Sequence, residues 1–290
     1  SPLLIIINYP PKWRVFYSPP FVVFFILAII NHKFFKMKYL FTLLSCVLFF
    51  NTTFSQEQLL LIGFYKVKPG MEADYETAMI EYQGEMMKER VKNGCLRNWV
   101  FREVLPNSEG RKLFTHMTVD VLNLDSDTYN CPSVTPEKVF PEMSENMRSI
   151  INKVRSSSRE VVYRTVVRKV AGVNKGEGLA KFAAFNFIKT KPGKKQAYIN
   201  RNKEFSPKQY KNYSNQQAWY AWERYDARVG GLLSWDYLSM DGYNKISDKL
   251  NRVVNTPKSI KDKENKKYGP LSEMRDLNHQ VLTRLLFSAK

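Results

Sequence analysis

Apolar and polar positions follow the same order twice between residues 56 and 290. An apolar run at Leu59–Val67 ends in the turn Lys68-Pro69-Gly70, and a second run at Phe182–Thr190 ends in Lys191-Pro192-Gly193. Short apolar runs that stop at a Pro-Gly turn are typical of strands. We therefore predict that each half of this region begins with a β-strand.

The segment after the first Pro-Gly turn has the spacing of an amphipathic helix. Its apolar residues recur every three or four positions, at Met71, Tyr75, Met79, Tyr82 and Met86. Two strands (98–105 and 112–122), a second helix that opens at Thr135-Pro136 and a final strand (161–170) complete the first half. The second helix is expected to bury one stripe, formed by Phe140, Met143, Met147, Ile150 and Val154. This order, β-α-β-β-α-β, is the ferredoxin-like pattern.

Internal similarity extends the same order to the second half. The motif Trp-x-x-x-Glu occurs at 99–103 and 219–223, and Thr-Pro occurs at 135–136 and 256–257. Matches that keep one order along the chain indicate a duplication. Prolines at 207, 257 and 270 are expected to shorten or break the helices of the second copy. We predict an α+β fold with two tandem ferredoxin-like βαββαβ units, at 56–172 and 178–290.

A four-stranded sheet with helices on one face leaves its other face to be covered, and a second copy in the same chain supplies the cover. The antiparallel sheets of the two units are therefore expected to pair into an α+β barrel. Two such units, each with a Lys-Pro-Gly turn after its first strand, resemble the dimeric α+β barrel superfamily. This group includes antibiotic-biosynthesis-monooxygenase-like and NIPSNAP-like proteins. The resemblance implies a fold, and it implies no catalytic motif.

The first 55 residues differ from the rest of the chain. A secretory signal peptide is predicted at 37–55, with Met37 as its start, an apolar centre at Tyr39–Phe50 and cleavage before Gln56. Residues 1–36 are interpreted as a mis-start or a disordered leader. A membrane segment at Phe21–Ile30 is the alternative, although ten apolar residues are short for a span. The expected location is periplasmic or secreted, with no membrane span in the mature chain.

The chain is strongly basic, with a formal net charge of +18. Residues 1–55 contain five basic and no acidic residues, so a mature chain from Gln56 would carry +13. Such a charge favours anionic partners, and an anionic envelope polymer is one possible partner. The dense basic stretch Lys258–Lys267 has no interleaved aromatic residues, so a specific nucleic-acid partner is not expected. A solvated helix face is the simpler interpretation of that stretch.

Two cysteines follow the signal peptide, at Cys95 and Cys131. An even pair in an oxidising compartment is a disulfide candidate. The βαββαβ topology places Cys95 after the first helix and Cys131 after the third strand, at the same end of the sheet. Two buried free thiols are the alternative.

Few residues of the predicted mature chain suggest chemistry. It contains two histidines, His116 and His279, and no metal-ligand spacing, nucleophile elbow, P-loop or dinucleotide turn. His116 is the best candidate general base because imidazole titrates near neutral pH. Asp120 lies four positions further on the same strand face. These two residues are our catalytic candidates, and we predict no metal site.

Aromatic and acidic residues of the repeated motif, together with Trp235 from the aromatic cluster of the second half, are candidates for ligand binding. The full set is Trp99, Glu103, Trp219, Trp222, Glu223 and Trp235. On a strand, period two places the tryptophan and the glutamate of each motif on one face. They could converge on an aromatic or anionic ligand. Equally, the tryptophans could be core residues and the glutamates could pair with neighbouring arginines.

These observations support several functions and name no reaction. The first hypothesis is an exported protein that binds a small, aromatic or anionic ligand in a barrel or sheet–helix pocket. The alternatives are an enzyme resembling cofactor-independent monooxygenases, a haem-binding barrel with His116 or His279 as axial ligand, and a non-catalytic envelope protein. No cofactor is the leading expectation. The assembly is expected to be a monomeric pseudo-dimer or a higher homo-oligomer.

Overall fold

The computed structural model describes residues 58–124, 131–213, 215–225, 234–251 and 257–289. Its strands are β1 (Leu59–Val67), β2 (Leu96–Val104), β3 (His116–Leu122), β4 (Arg159–Asn174), β5 (Phe182–Thr190), β6 (Ala218–Arg224), β7 (Tyr237–Tyr243) and β8 (Arg275–Ala289). Its helices are α1 (segments Glu72–Thr77, Ala78–Gln83 and Gly84–Lys92), α2 (Pro136–Val139), α3 (Glu145–Ser157), α4 (Lys195–Glu204), α5 (Ser206–Lys211), α6 (Ile246–Leu250) and α7 (Lys258–Tyr268). Short 3₁₀ turns occupy Glu109–Lys112 and Leu271–Glu273.

The eight strands form a closed antiparallel barrel. The first half contributes the order β4-β1-β3-β2 and the second half repeats it as β8-β5-β7-β6. Two seams join the halves, where β2 pairs with β8 and β4 pairs with β6. The predicted fold class is confirmed: two ferredoxin-like units close one α+β barrel. None of the helices in the described part of the chain is long and apolar enough to cross a membrane.

Identical turns start the first helix of each half. Gly70 and Gly193 have φ values of 83° and 72°, a left-handed conformation that favours glycine. The preceding prolines have a fixed φ that suits the turn. Each turn carries the chain from the end of a strand to the outer face of the barrel, where α1 and α4 begin.

Alternation along the strands separates two kinds of core. One set of side chains points into the barrel, and its members include Leu60, Ile62, Val100, Val119, Phe185 and Trp222. The other set points outward and packs under the helices, with Trp99 and Phe101 beneath α1 and with Trp219 and Ala221 beneath α4. The residues of the Trp-x-x-x-Glu motifs therefore lie on the outer, helix-covered face.

The first helices of the two halves are interrupted at equivalent places. In α1 the segment Ala78–Gln83 is π-helical. In the second half α4 ends at Glu204, and α5 starts at Ser206 with Pro207 in its first turn. The expected early stop of this helix near Pro207 agrees with the break. Single π-helical turns within α-helices often occur at functional sites.

The second helix of the first half differs from its prediction. Pro141 follows α2 and interrupts the helix, so α3 starts anew at the Ser144 cap, whose Oγ accepts a hydrogen bond from the Met147 amide at 3.2 Å. Met147 and Ile150 are 50% and 49% exposed. The expected buried stripe is therefore wrong at these two positions. The third strand also starts later than predicted, because the residues before it form a 3₁₀ turn.

A disulfide joins Cys95 to Cys131, with 6.0 Å between the Cα atoms. Both residues are buried next to Met86 of α1 and Val134. The bond ties the end of α1 to the chain beyond β3. The predicted signal peptide, its cleavage point and residues 1–36 lie outside the described residues.

We expect the double variant Cys95→Ala/Cys131→Ala to unfold more easily than the wild type. The bond closes a loop with a sequence separation of 36. In the chain-entropy model, its loss costs about 3–4 kcal/mol of unfolding free energy. Urea denaturation with and without a reductant measures the effect. Reductant should destabilise only the wild type, and equal stability of the two oxidised proteins would contradict the prediction.

Candidate functional site

A cavity of about 240 Å³ lies between the outer face of the first half's strands and its helices. We call it the first-half cavity. The strands contribute Tyr65, Trp99 and Asp120, and α1 contributes Met79 and Gln83 from its π-helical segment. Gly63 leaves room for the Tyr65 ring, because a Cβ at position 63 would lie 2.4 Å from Tyr65 Oη. That hydroxyl is 3.3 Å from Thr118 Oγ1, which orients the ring along the wall.

Four arginines meet at this cavity. They are Arg90 of α1, Arg155 of α3, and Arg159 and Arg164 of β4. Arg159 donates to Tyr75 Oη at 3.1 Å, and its guanidinium lies 4.0 Å from the centre of the Tyr65 ring. Arg155 donates from Nη1 to Gln83 Oε1. Burial lowers the pKa of Arg155, and the neighbouring charge of Arg159 lowers it further.

Two donors of these arginines have no acceptor. The Nε atoms of Arg90 and Arg155 are buried without a hydrogen-bond partner among the described residues. A buried donor without an acceptor costs about 1–3 kcal/mol, and more when the group is charged. An anion in the cavity would remove that cost.

Asp120 is the one carboxylate among the described residues that line the first-half cavity. It lies directly across the strands from Trp99, whose side chain hydrogen bonds to it. Burial raises the pKa of Asp120 to about 6, against the opposing effects of Arg164 and Arg90. Four cationic side chains thus face a single carboxyl that is partly protonated near neutral pH.

The second half contains an equivalent cavity of about 410 Å³, the second-half cavity. Trp219 lies directly across from Asp241 there, as Trp99 lies across from Asp120. Arg275 of β8 holds the position of Arg159 in β4, because each pairs with the last residue of its half's first strand. The duplication therefore includes the walls of the cavity as well as the barrel.

The carboxylates of the second-half cavity are engaged within the protein, although Arg275 Nε there is also buried without an acceptor among the described residues. Asp241 accepts hydrogen bonds from Gln216 Nε2 at 2.8 Å and Asn186 Nδ2 at 3.0 Å. Arg201 forms a buried ion pair with Glu264. Three basic side chains line this cavity with two carboxylates, whereas four line the first-half cavity with one. The excess positive charge belongs to the first half.

The structure places the two catalytic candidates apart. His116 shares the outer strand face with Asp120 but is completely buried and lines none of the cavities described here. Its Nδ1 lies 3.0 Å from Thr115 Oγ1 and its Nε2 lies 3.0 Å from Glu76 Oε1. Its hydrogen bond to Glu76 lowers the pKa of that carboxyl. Asp120 alone faces a cavity.

The six candidate ligand-binding residues are distributed over the barrel. Trp99 and Trp219 line the first-half and second-half cavities, and Trp222 lines a third cavity inside the barrel. Trp235 packs in the interior against Phe187, with 5.5 Å between ring centres. These residues do not converge on one ligand site.

The two glutamates of the repeated motif are paired on the outer face. Glu103 accepts from Arg284 at 2.7 Å and from Arg111 at 3.4 Å. Glu223 accepts from Arg168 Nε at 2.7 Å and lies 3.8 Å from Lys195 Nζ. Both glutamates therefore pair with arginines, as one of the two interpretations of the motif predicts, but none of these arginines is adjacent to its glutamate in the sequence.

Sequence reasoning missed the arginine cluster. Arg155, Arg159 and Arg164 lie close together in the chain, but Arg90 is brought to them only by the packing of α1 on the sheet. Spacings of four and five residues between the three would have indicated a basic segment and no cavity. The cluster forms because α1 and α3 pack side by side over the sheet, and this contact cannot be read from the spacing of the arginines.

A haem site is not supported by the described histidines. Both ring nitrogens of His116 are engaged, and His279 lies exposed on β8. Neither histidine presents a free nitrogen to one of the three cavities. Among the described residues no group of three or more His, Cys, Asp or Glu side chains could hold a metal ion.

No family model and no curated protein matches this chain. Solved structures with a similar fold include an anthrone oxidase-like protein, at 8% identity and TM-score 0.47, covering 81% of this chain and 93% of that one. A mutant chlorite dismutase from Candidatus Nitrospira defluvii has 10% identity and TM-score 0.45, covering 79% and 90%. A heme-binding protein from Thermus thermophilus has 8% identity and TM-score 0.38, with the same coverage.

These similarities concern the fold. With two βαββαβ halves that close one barrel, the chain has the architecture of the dimeric α+β barrel superfamily. The resemblance inferred from the repeated turns is confirmed at this level.

We expect Asp120→Asn to stabilise the protein at pH 8 and to have little effect at pH 4. A carboxyl whose pKa is raised from 3.8 to about 6 on folding stabilises the fold only while protonated, so this stability is lost as pH rises through 6. The expected gain at pH 8 is about 2–3 kcal/mol of unfolding free energy. Urea denaturation at both pH values measures it. Asp262→Asn, on the exposed face of α7, is the control, and a pH-independent effect of Asp120→Asn would contradict the assignment.

Proposed function

We propose that the protein binds a small acidic molecule with an aromatic part in the first-half cavity. The observation that carries this proposal is the pair of buried, unpartnered guanidinium donors, Arg90 Nε and Arg155 Nε, at a cavity lined by four arginines and one carboxylate. Guanidinium groups bind carboxylates through charge-assisted hydrogen bonds, which are stronger than neutral ones.

The other walls suit a flat ring. Trp99 and Tyr65 supply aromatic surface, and Met79 and Met87 supply flexible apolar surface. A volume of about 240 Å³ fits a compact molecule. An aromatic acid would place its ring against these side chains and its acidic group against the arginines.

The second-half cavity supports the choice of the first. It has the same tryptophan–aspartate pair, but its two carboxylates are engaged by hydrogen bonds and an ion pair within the protein, and three basic side chains line it instead of four. The difference between the halves is therefore electrostatic. An anion gains most from binding where four arginines face one carboxyl.

Proton transfer at Asp120 is a second candidate activity. Its pKa of about 6 allows the carboxylate to accept a proton near neutral pH, as a general base requires. A bound molecule with an acidic O–H or C–H group could donate that proton to Asp120. A cofactor-independent monooxygenase-like enzyme also needs a general base. In this cavity Asp120, and not His116, is placed to act as that base.

Export is part of the proposal. The disulfide between Cys95 and Cys131 supports it, because structural disulfides persist mainly in oxidising compartments. The signal peptide from Met37 remains a prediction. The alternative role at an envelope polymer has weaker support: the lysines of α7 are exposed, as a solvated helix face would be, and no second feature favours a polymer.

Calorimetry with phthalate, salicylate and benzoate tests the binding proposal. We expect phthalate, with two carboxylates, to bind most tightly, and Arg155→Gln to weaken its binding about tenfold or more, since hydrogen bonds to charged groups contribute about 1.5–3 kcal/mol. Arg275→Gln removes an arginine from the second-half cavity and should leave binding unchanged.

Two results would overturn the proposal. One is that none of the three acids binds to the wild type. The other is that Arg155→Gln and Arg275→Gln weaken binding equally, since the positive charge of the whole protein would then be responsible. High salt should weaken phthalate binding, because the interaction is electrostatic.

Haemin should not bind specifically to the purified protein. The described histidines offer no free nitrogen at the three cavities, so no axial bond is expected. Titration with haemin, followed by absorbance, should show no shifted Soret band that saturates at one equivalent. A saturable shift that His279→Ala abolishes would show that the exposed histidine serves as a ligand after all.

A further inference from the structure

A third cavity, of about 300 Å³, lies inside the barrel and is separate from the two helix-covered cavities. We call it the barrel cavity. It lies at the end where β1 and β5 begin, between Leu60, Ile62, Val100, Val119 and Phe185. The opposite end of the interior is filled by aromatic rings, with Phe64, Phe114 and Phe187 in mutual contact. The interior is therefore packed at one end and open at the other.

One buried cation reaches this apolar space. Arg102 of β2 is 3% exposed and lines the barrel cavity. Its Nε donates to Thr283 Oγ1 at 2.9 Å, and its Nη2 donates to the carbonyls of Ala180 and Lys181 at 3.1 and 3.2 Å. These bonds fix the guanidinium at the seam between β2 and β8. Its Nη1 forms no hydrogen bond with the described residues.

The charge of Arg102 is not neutralised within the described protein. No described carboxylate forms an ion pair with it, and burial lowers its pKa to about 9. An isolated buried charge is costly, and proteins normally pair it. An acidic group that enters the barrel cavity would provide the missing counter-charge.

Three further residues of the cavity, Trp222, Arg97 and Lys169, contribute only hydrogen-bond donors. Trp222, on the opposite wall in strand order, is 7% exposed and its Nε1 is buried without an acceptor. Arg97 and Lys169 stand at the mouth. No carboxylate lines the cavity among the described residues. A ligand that fits must therefore supply acceptors at one end and apolar surface elsewhere.

We propose that the barrel cavity binds a small carboxylic acid with an unbranched apolar chain. Its carboxylate accepts from Arg102 Nη1 and its chain packs against Ile62, Val100 and Phe185, with Trp222 as the facing wall. The occupant differs from that of the first-half cavity, because here the walls are mainly apolar and Arg102 is the one buried cation among the described lining residues, with Arg97 and Lys169 exposed at the mouth. A cavity of about 300 Å³ is at the lower end of the usual range for ligand sites, which favours a medium-length chain.

The first experiment compares ten-carbon probes by calorimetry on the purified protein. Decanoate should bind, decanol should bind at least tenfold more weakly, and decyltrimethylammonium should not bind. From hexanoate to decanoate, each added CH₂ should tighten binding about fourfold until the cavity is full. Equal binding of decanoate and decanol would overturn the role of Arg102.

Variants locate the acid in the barrel. Val100→Phe fills the cavity and should abolish decanoate binding. Trp222→Phe removes the unpartnered N–H while keeping an aromatic ring and should weaken binding about fivefold. Trp235→Phe removes an equally unpartnered N–H from the packed end and should leave it unchanged. Arg102→Gln should weaken decanoate binding more than tenfold. If this variant does not fold, Val100→Phe and Trp222→Phe, with Trp235→Phe as the control, still test whether the acid binds in the barrel cavity.

The same variants separate this inference from the proposed function. Val100→Phe should retain phthalate binding, whereas Arg155→Gln should retain decanoate binding. Decanoate binding that survives Val100→Phe would show that the acid lies outside the barrel. Loss of both ligands in either variant would show a general effect on the fold and would overturn the assignment of two separate cavities.

Discussion

Closure of the barrel is the constraint on which the rest of the structure depends. Each four-stranded sheet has two edge strands with unpaired backbone groups and one apolar face without helices. The pairing of β2 with β8 and of β4 with β6 removes all four edges and encloses both apolar faces. Once the barrel is closed, a side chain has two environments: the interior, or the outer face beneath the helices.

This constraint explains why the barrel cavity and the first-half cavity lie on opposite faces of the same strands and have no lining residue in common. Along β3, Val119 points to the barrel cavity and Asp120 points to the first-half cavity. Along β2, Val100 and Trp99 divide in the same way. One layer of strands therefore separates a mainly apolar pocket with one buried arginine from a polar pocket with four arginines. Period-two alternation gives one sheet two chemically different surfaces.

The barrel could be predicted from the sequence because the patterns that indicate its strands and turns are local and occur twice. Strand alternation and the two Pro-Gly turns establish the order of elements, whereas the pairing of Trp99 with Asp120 comes from the strand register of the structure. The sequence could not give what depends on how helices pack. Arg90 meets Arg155 only through the contact of α1 with the sheet and α3. An imidazole on a strand is a candidate general base, but the burial of His116 and its contact with Glu76 depend on tertiary structure.

The two halves also differ in a way that a pair of identical subunits could not. In a symmetric homodimer every substitution is made twice, so an arginine gained at one pocket appears at both. Covalent linkage of the units removes that restriction. The chain can keep a buried hydrogen-bond network around Asp241 while it accumulates cations around Asp120. The second unit can then contribute mainly its strands to the closed barrel, while substitutions in the first unit change the chemistry of its own cavity alone.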